Sequence, residues 1–235
     1  MYGDFSSIKI LKSINFSINR VIKKKDKVVF CVPYTLLSFF SLKFKKSRIN
    51  IGAQNSHHLP DGPFTGFISS KMIKKTGAKY VILGHSENRV SGENNKLINL
   101  KIKSAIKNNL AVIYCIGETL KEKRNKDTNK VLSKQIKIGL KNIKNIKNII
   151  ISYEPVWSIG TGVIPKIQDL KKTITFIKSK FSKKYKNKVK IIYGGSVNPK
   201  TISTFRNIKD INGFLIGGAS QSKKKFIDII RNYYK

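Results

Sequence analysis

Three apolar runs in this sequence each end on side chains able to move protons. Tyr80-Val81-Ile82-Leu83 leads into Gly84-His85-Ser86-Glu87, Val112-Ile113-Tyr114-Cys115-Ile116 into Gly117-Glu118, and Ile149-Ile150-Ile151-Ser152-Tyr153 into Glu154-Pro155. The chain has only five glutamates, at 87, 93, 118, 122 and 154, and three of them occupy these positions, one beside His85. A solvated surface acid is the plain reading of any one; three so placed point to a shared rim. A carboxylate there, fixed by the following proline, suits a general base that removes a proton next to a carbonyl, and this role falls to Glu154. His85 can polarise that carbonyl, or shuttle the proton, as a neutral imidazole. His57 and His58 lie in a polar loop with Pro60 and Gly62 and read as surface residues.

Glycines supply the second signal. Gly194-Gly195-Ser196 follows the run Lys190–Tyr193, and Gly217-Gly218 follows Gly213–Ile216. Loops of this kind on the last two strands of a barrel bind phosphate through backbone N–H groups, and glycine permits the close approach. Either pair alone could mark an ordinary turn; together they point to a phosphorylated ligand. Between these loops and Glu154 runs Val156-Trp157-Ser158-Ile159-Gly160-Thr161-Gly162, which reads as a mobile lid. Trp157 would anchor it, Ile159 would exclude water at its tip, and Gly160 and Gly162 would give it backbone freedom.

These side chains need elements to hold them. Strands are expected at Lys27–Val32, Arg48–Ile51, Tyr80–Leu83, Ala111–Cys115, Ile149–Ser152, Lys190–Tyr193 and Gly213–Ile216. Their apolar runs are nearly continuous, as suits parallel strands buried on both faces. Helices are expected at Ser6–Lys23, Glu93–Asn108, Asn129–Asn142, Ile167–Phe181 and Lys223–Tyr233, with apolar residues three and four apart. The first carries the stripe Ile8, Leu11, Ile14, Ile18 and Val21/Ile22. Alternation of this kind gives an α/β fold with a parallel sheet and right-handed crossovers, here a (β/α) barrel whose active-site mouth lies at the strands' carboxyl ends. No composition break divides the chain, so residues 1–235 are expected to form one domain.

Composition narrows the classes. With 235 residues, 40% of them hydrophobic, the chain can bury a sizeable core. Cys31 and Cys115 cannot build a disulfide framework, fit a reducing compartment, and read as packing residues rather than metal ligands. No signal-peptide pattern and no run of ~18 apolar residues occurs, so a cytoplasmic protein without membrane attachment is expected. The formal charge of +36 has two readings. One is a selected polyanion site; the other is drift toward lysine, isoleucine and asparagine, which share A- and T-rich codons. No nucleic-acid-binding signature accompanies the charge, so any nucleic-acid binding is expected to be non-specific.

The segments GAQN (52–55), GPFTG (62–66), YVILGHSENR (80–89), CIGET (115–119), YEPVWSIGTG (153–162), YGGSVNP (193–199) and GFLIGGAS (213–220) together closely resemble the triosephosphate isomerases, in order and spacing, from about residue 27 to the C-terminal helix. The resemblance implies a (β/α)8 TIM barrel that interconverts dihydroxyacetone phosphate and D-glyceraldehyde 3-phosphate through an enediolate, in glycolysis and gluconeogenesis, with no cofactor and no metal. It implies Glu154 as base, His85 as electrophile, Glu87 in support, and Gly160, Ser196, Gly217 and Gly218 as phosphate binders through their backbone N–H groups. The family is itself a familiar case of a glutamate base paired with a neutral histidine under a closing loop. It further implies a homodimer, in which the loop Gln54–Gly66, with Thr65 near its tip, reaches into the neighbour's site.

Two departures stand out. Asn88 occupies a position where the family has Arg, while Arg89 is retained, which bears on local ion pairing. Members of the family also begin with a strand ending in an Asn-x-Lys motif, whose lysine contacts the substrate. Here Met1-Tyr2-Gly3 resembles the residues just after that lysine, and seven strand candidates stand where a closed barrel needs eight. The expectation is a barrel lacking its first strand in this sequence, with translation beginning upstream. An impaired barrel remnant that binds polyanions non-specifically stays open as the rival. A different phosphosugar enzyme on the same barrel is disfavoured by the lid and GHSENR together.

Overall fold

A computed structural model describes residues 3–23, 26–185 and 189–234; Met1 and Tyr2, at the start of the chain, lie outside them. In chain order the elements are α1 (Ser7–Val21), β1 (Val28–Val32), α2 (Tyr34–Lys43), β2 (Ile49–Ala53), α3 (Ser70–Lys75), β3 (Tyr80–Leu83), α4 (Ser86–Val90), α5 (Asn95–Lys107), β4 (Ala111–Ile116), α6 (Leu120–Arg124), α7 (Thr128–Gly139), β5 (Ile149–Tyr153), α8 (Ile167–Tyr185), β6 (Lys190–Tyr193) and α9 (Lys223–Tyr234). The six strands pair in sequence order, β1 through β6, and every pairing is parallel. All carboxyl ends therefore share one rim.

The continuous apolar runs are explained by burial on two faces. Val28, Phe30, Val32, Ile49, Ile51, Val81, Leu83, Val112, Tyr114, Ile149 and Ile151 belong to the large core beneath the helices. The alternate positions Val29, Cys31, Tyr80, Ile82, Ile113, Cys115, Ile150 and Ile192 form a second cluster on the concave side, joined by Leu215. Each aliphatic side chain so buried contributes ~1.5–3 kcal/mol. The predicted stripe on α1 holds: Leu11, Ile14, Ile18 and Ile22 are buried.

The seventh expected strand, Gly213–Ile216, differs. It makes one bridge, Tyr193 to Phe214, with Leu215 N–H donating to Tyr193 O at 2.9 Å and Tyr193 N–H to Gly213 O at 3.1 Å. Among the described residues no strand pairs with its far side, nor with the outer edge of β1. With a single bridge, this segment extends the sheet without forming a ladder. Phe214 instead packs its ring against Phe205 and Tyr233. The helix layer continues across this position, because α1 packs against α9.

No helix among the described residues is long and apolar enough to cross a membrane. Among them, too, no group of three or more His, Cys, Asp or Glu could hold a metal ion. Burial pushes the Cys31 thiol up to about 12 and the Cys115 thiol well above its ordinary value, so both are protonated packing groups.

Candidate active site

His85 stands between the end of β3 and α4, as the N-cap of that helix. Its Nδ1 accepts the Glu87 backbone N–H at 3.5 Å. A nitrogen that accepts carries no proton, so the neutral ring bears its hydrogen on Nε2. Nε2 faces Glu154, 3.6 Å from Oε2. The two residues singled out for proton chemistry thus meet, with the ring's N–H side turned toward the carboxylate.

Arg89 fixes this corner. Its Nε donates to Gly84 O at 2.7 Å, one terminal nitrogen to Asn95 Oδ1 at 2.7 Å, and the other to Cys115 O at 3.0 Å. One planar fork therefore ties the residue before His85 to β4 and α5, with polar groups rather than carboxylates as partners. Asn88 contributes a backbone carbonyl, which accepts Glu93 N–H at 3.0 Å.

Glu154 follows β5 and is 2% exposed. Neither carboxylate oxygen has a hydrogen-bond partner among the described residues. Burial raises its carboxyl above the ordinary 4.5, opposed by His85 and by neighbouring Cys115, Ser152 and Arg89. An unpartnered, desolvated carboxylate is a stronger base than a solvated one. Two glycines make room for it. A Cβ at Gly117 would lie 1.8 Å from Glu154 O, and one at Gly194 would lie 2.6 Å from Glu154 Cγ. Gly117 is held in place by Gln135 of α7, whose amide accepts Gly117 N–H and donates to Gly117 O, both at 2.9 Å.

The three rim glutamates do not converge. Glu87 is exposed, its carboxylate 3.8 Å from His85 Nδ1. Glu118 is 1% exposed and turns beneath Trp157. It accepts Trp157 Nε1–H at 2.9 Å and Tyr153 O–H at 3.2 Å. Burial raises its carboxyl, and the Trp157 hydrogen bond is the largest opposing influence. Lys123 Nζ lies 3.3 Å from the Trp157 ring centroid on the same anchor. Glu118 therefore holds Tyr153 and Trp157 and does not join His85 and Glu154.

The segment expected to form a lid starts as a short turn at Val156–Ser158 and exposes Gly160, Thr161 and Gly162. Gly160 and Gly162 adopt φ of 71° and 80°, left-handed conformations natural to glycine. Gly162 N–H donates to Ser196 Oγ at 3.0 Å, and Ser196 Oγ donates to Ser158 O at 2.5 Å. The tip is thus tethered to the loop after β6. Ser196 N–H donates to Ser158 Oγ at 3.2 Å, so this expected phosphate donor has a protein partner here. Gly217 and Gly218 are exposed with open space at both Cα atoms, and Gly218 opens the turn Gly218–Gln221. The first N–H groups of such a turn have no intrahelical acceptor and suit an anion.

Sequence reasoning missed Gln135, the bracing role of Arg89, and the steric reasons for Gly117 and Gly194. The glycines were visible as CIGET and YGGS, but their contacts join separate strands.

The chain is similar to known proteins along most of its length. The family model described as "Triosephosphate isomerase" matches residues 1–233. A triosephosphate isomerase of Saccharomyces cerevisiae is 42% identical over 236 residues, covering 98% of this chain and 94% of that protein. One of Ruthia magnifica subsp. Calyptogena magnifica is 42% identical over 213 residues, covering 88% and 86%. The crystal structure of triosephosphate isomerase from Bartonella henselae superposes with a TM-score of 0.91 at 35% identity, covering 100% of this chain and 96% of that one. The fold is accordingly that TIM barrel, and a chain matched along its length by model, relatives and structure belongs to the triosephosphate isomerase family.

Proposed function

We propose that this chain interconverts dihydroxyacetone phosphate and D-glyceraldehyde 3-phosphate, with Glu154 as the base. Family membership supports the reaction. The observation that carries the residue assignment is a buried, unpartnered carboxylate 3.6 Å from a histidine Nε2, beneath a tethered lid. Glu154 removes a proton from the carbon bearing the hydroxyl, leaving an enediolate. His85, through Nε2–H, stabilises the oxygen on which charge develops and carries the proton between the two oxygens. The protonated Glu154 then delivers its proton to the adjacent carbon. Gly160, Ser196, Gly217 and Gly218 are assigned to the phosphate, Glu87 to the support of His85, and no cofactor or metal enters these steps. The whole of residues 1–235 is read as one barrel domain. Assay of the isolated chain with either triose phosphate tests the reaction; a folded chain without turnover would favour the impaired reading.

The lid keeps the enediolate from losing phosphate or trading protons with bulk water. 2-Phosphoglycolate, whose carboxylate mimics the enediolate, is expected to slow amide exchange across residues 156–162. Unchanged exchange at saturating ligand would mean that this loop is not a lid.

A homodimer is supported by the loop after β2. Leu59 and Phe67 are exposed there, with Met72 of α3 beside them, around His57, whose ring lies 4.5 Å from that of Phe64 and 5.1 Å from that of Phe67. Thr65 is exposed near the tip. Sedimentation at micromolar concentration is expected to show twice the 26.7 kDa chain mass; a monomer would remove this proposal. The reaction belongs to glycolysis and gluconeogenesis, and we read its site as cytoplasmic. Adhesion to polyanions through the +36 charge is read as non-specific.

A further inference from the structure

Ser158 lies within the lid, wholly buried, and the proton chemistry of Glu154 and His85 gives it no role. Its hydroxyl donates to Val163 O at 2.6 Å, accepts Ser196 N–H at 3.2 Å and lies 3.1 Å from the Tyr193 hydroxyl. A serine hydroxyl has one donor and two acceptor positions. With the donor on Val163, the Tyr193 O–H must donate to Ser158, and all three positions are filled. The partners belong to the lid's far end, the end of β6 and the loop after it. Pro165, buried just beyond the lid, has no N–H to offer that loop. Gly195 is a condition of the arrangement, because a Cβ there would lie 2.6 Å from Ser158 Oγ and 2.2 Å from the Tyr193 hydroxyl oxygen.

We propose that the Ser158 hydroxyl latches the closed lid, making Ser158 a positioning residue for retention of the enediolate. The inference rests on reading residues 156–162 as a lid. In the Ser158→Ala variant, closure would leave Val163 O and the Tyr193 hydroxyl without the hydroxyl they share. The penalty applies only when the lid is shut, so it falls on turnover rather than on folding.

The test uses the full chain and the Ser158→Ala variant with dihydroxyacetone phosphate, 2-phosphoglycolate and inorganic phosphate. Expected are a kcat lowered about tenfold, 2-phosphoglycolate bound about tenfold more weakly, and several-fold more inorganic phosphate released per isomerisation. Affinity for inorganic phosphate alone should stay within about twofold, since the backbone N–H groups of Ser196, Gly217 and Gly218 assigned to it are all retained in the variant. Tyr193→Phe, which removes one of the three partners, should show a smaller effect in the same direction, and supplies the test if the alanine variant misfolds. Equal amide protection of the lid by 2-phosphoglycolate in parent and variant, with unchanged kcat, would overturn the latch while leaving the lid reading intact. No protection in the parent would overturn the lid reading itself.

Discussion

Glu154→Gln is expected to lower kcat by at least ~10²-fold in a protein that folds as the parent does, as loss of a positioned general base requires. The amide keeps the shape of the side chain and removes the basic oxygen, so the effect should fall on kcat rather than KM. Stability should move the opposite way. Burial raises the Glu154 carboxyl above 4.5, so the folded state holds that proton more tightly than the unfolded chain. The stabilisation associated with the protonated group is fully present below about pH 4.5 and is lost as pH rises through the folded value. At neutral pH the buried carboxylate therefore weakens the fold, and the glutamine variant should be at least as stable as the parent. Thermal unfolding at several pH values checks this: the difference should be largest near neutrality and shrink below about pH 4.5. A less stable variant at pH 7 would mean that the carboxylate has a partner that compensates its burial.

The second large effect is expected at a residue with no chemistry. In Gly117→Ala the new methyl would stand 1.8 Å from Glu154 O, where backbone rather than a flexible side chain must yield. The ends of β4 and β5 would have to separate by about an ångström or more, and the paired hydrogen bonds to Gln135 would be strained with them. Overpacking of this kind costs ~1–3 kcal/mol and sometimes more. It also moves Glu154 relative to His85, and a displacement of about 1 Å in a reacting group can lower the rate ~10²-fold. Urea titration and steady-state kinetics of the alanine variant should show both losses. Parent-like values in both would mean that this corner relaxes freely, and that Gly117 does not set the position of the base.

Much of this architecture was legible in the sequence because it rests on local pattern. Continuous apolar runs such as Ile149–Tyr153 specify strands buried on two faces, and the α1 stripe specifies a helix with one covered side. His85 and Glu154 were legible because each follows such a run in a chain poor in glutamate. What escaped depends on contacts between distant segments. Glu118 reads as a rim acid until Tyr153 and Trp157 are seen to hold it beneath residues 156–158. Gly194-Gly195 reads as a phosphate loop, yet its first glycine makes space for Glu154 and its second for Ser158 and Tyr193. Gly213–Ile216 has the composition of a strand, but among the described residues its pairing is confined to one bridge to Tyr193, while Phe214 turns into the aromatic cluster of Phe205 and Tyr233.

The central claim is that Glu154 moves a carbon-bound proton to the neighbouring carbon through an enediolate. Isomerisation of dihydroxyacetone phosphate in D2O, followed by proton NMR, tests it most directly. The parent should form D-glyceraldehyde 3-phosphate with partial deuterium at the carbon that receives the proton, as the base exchanges with solvent before the intermediate collapses. Glu154→Gln should slow product formation and deuterium uptake together by at least ~10²-fold. Product formed at the parent rate by a correctly folded Glu154→Gln variant would contradict it.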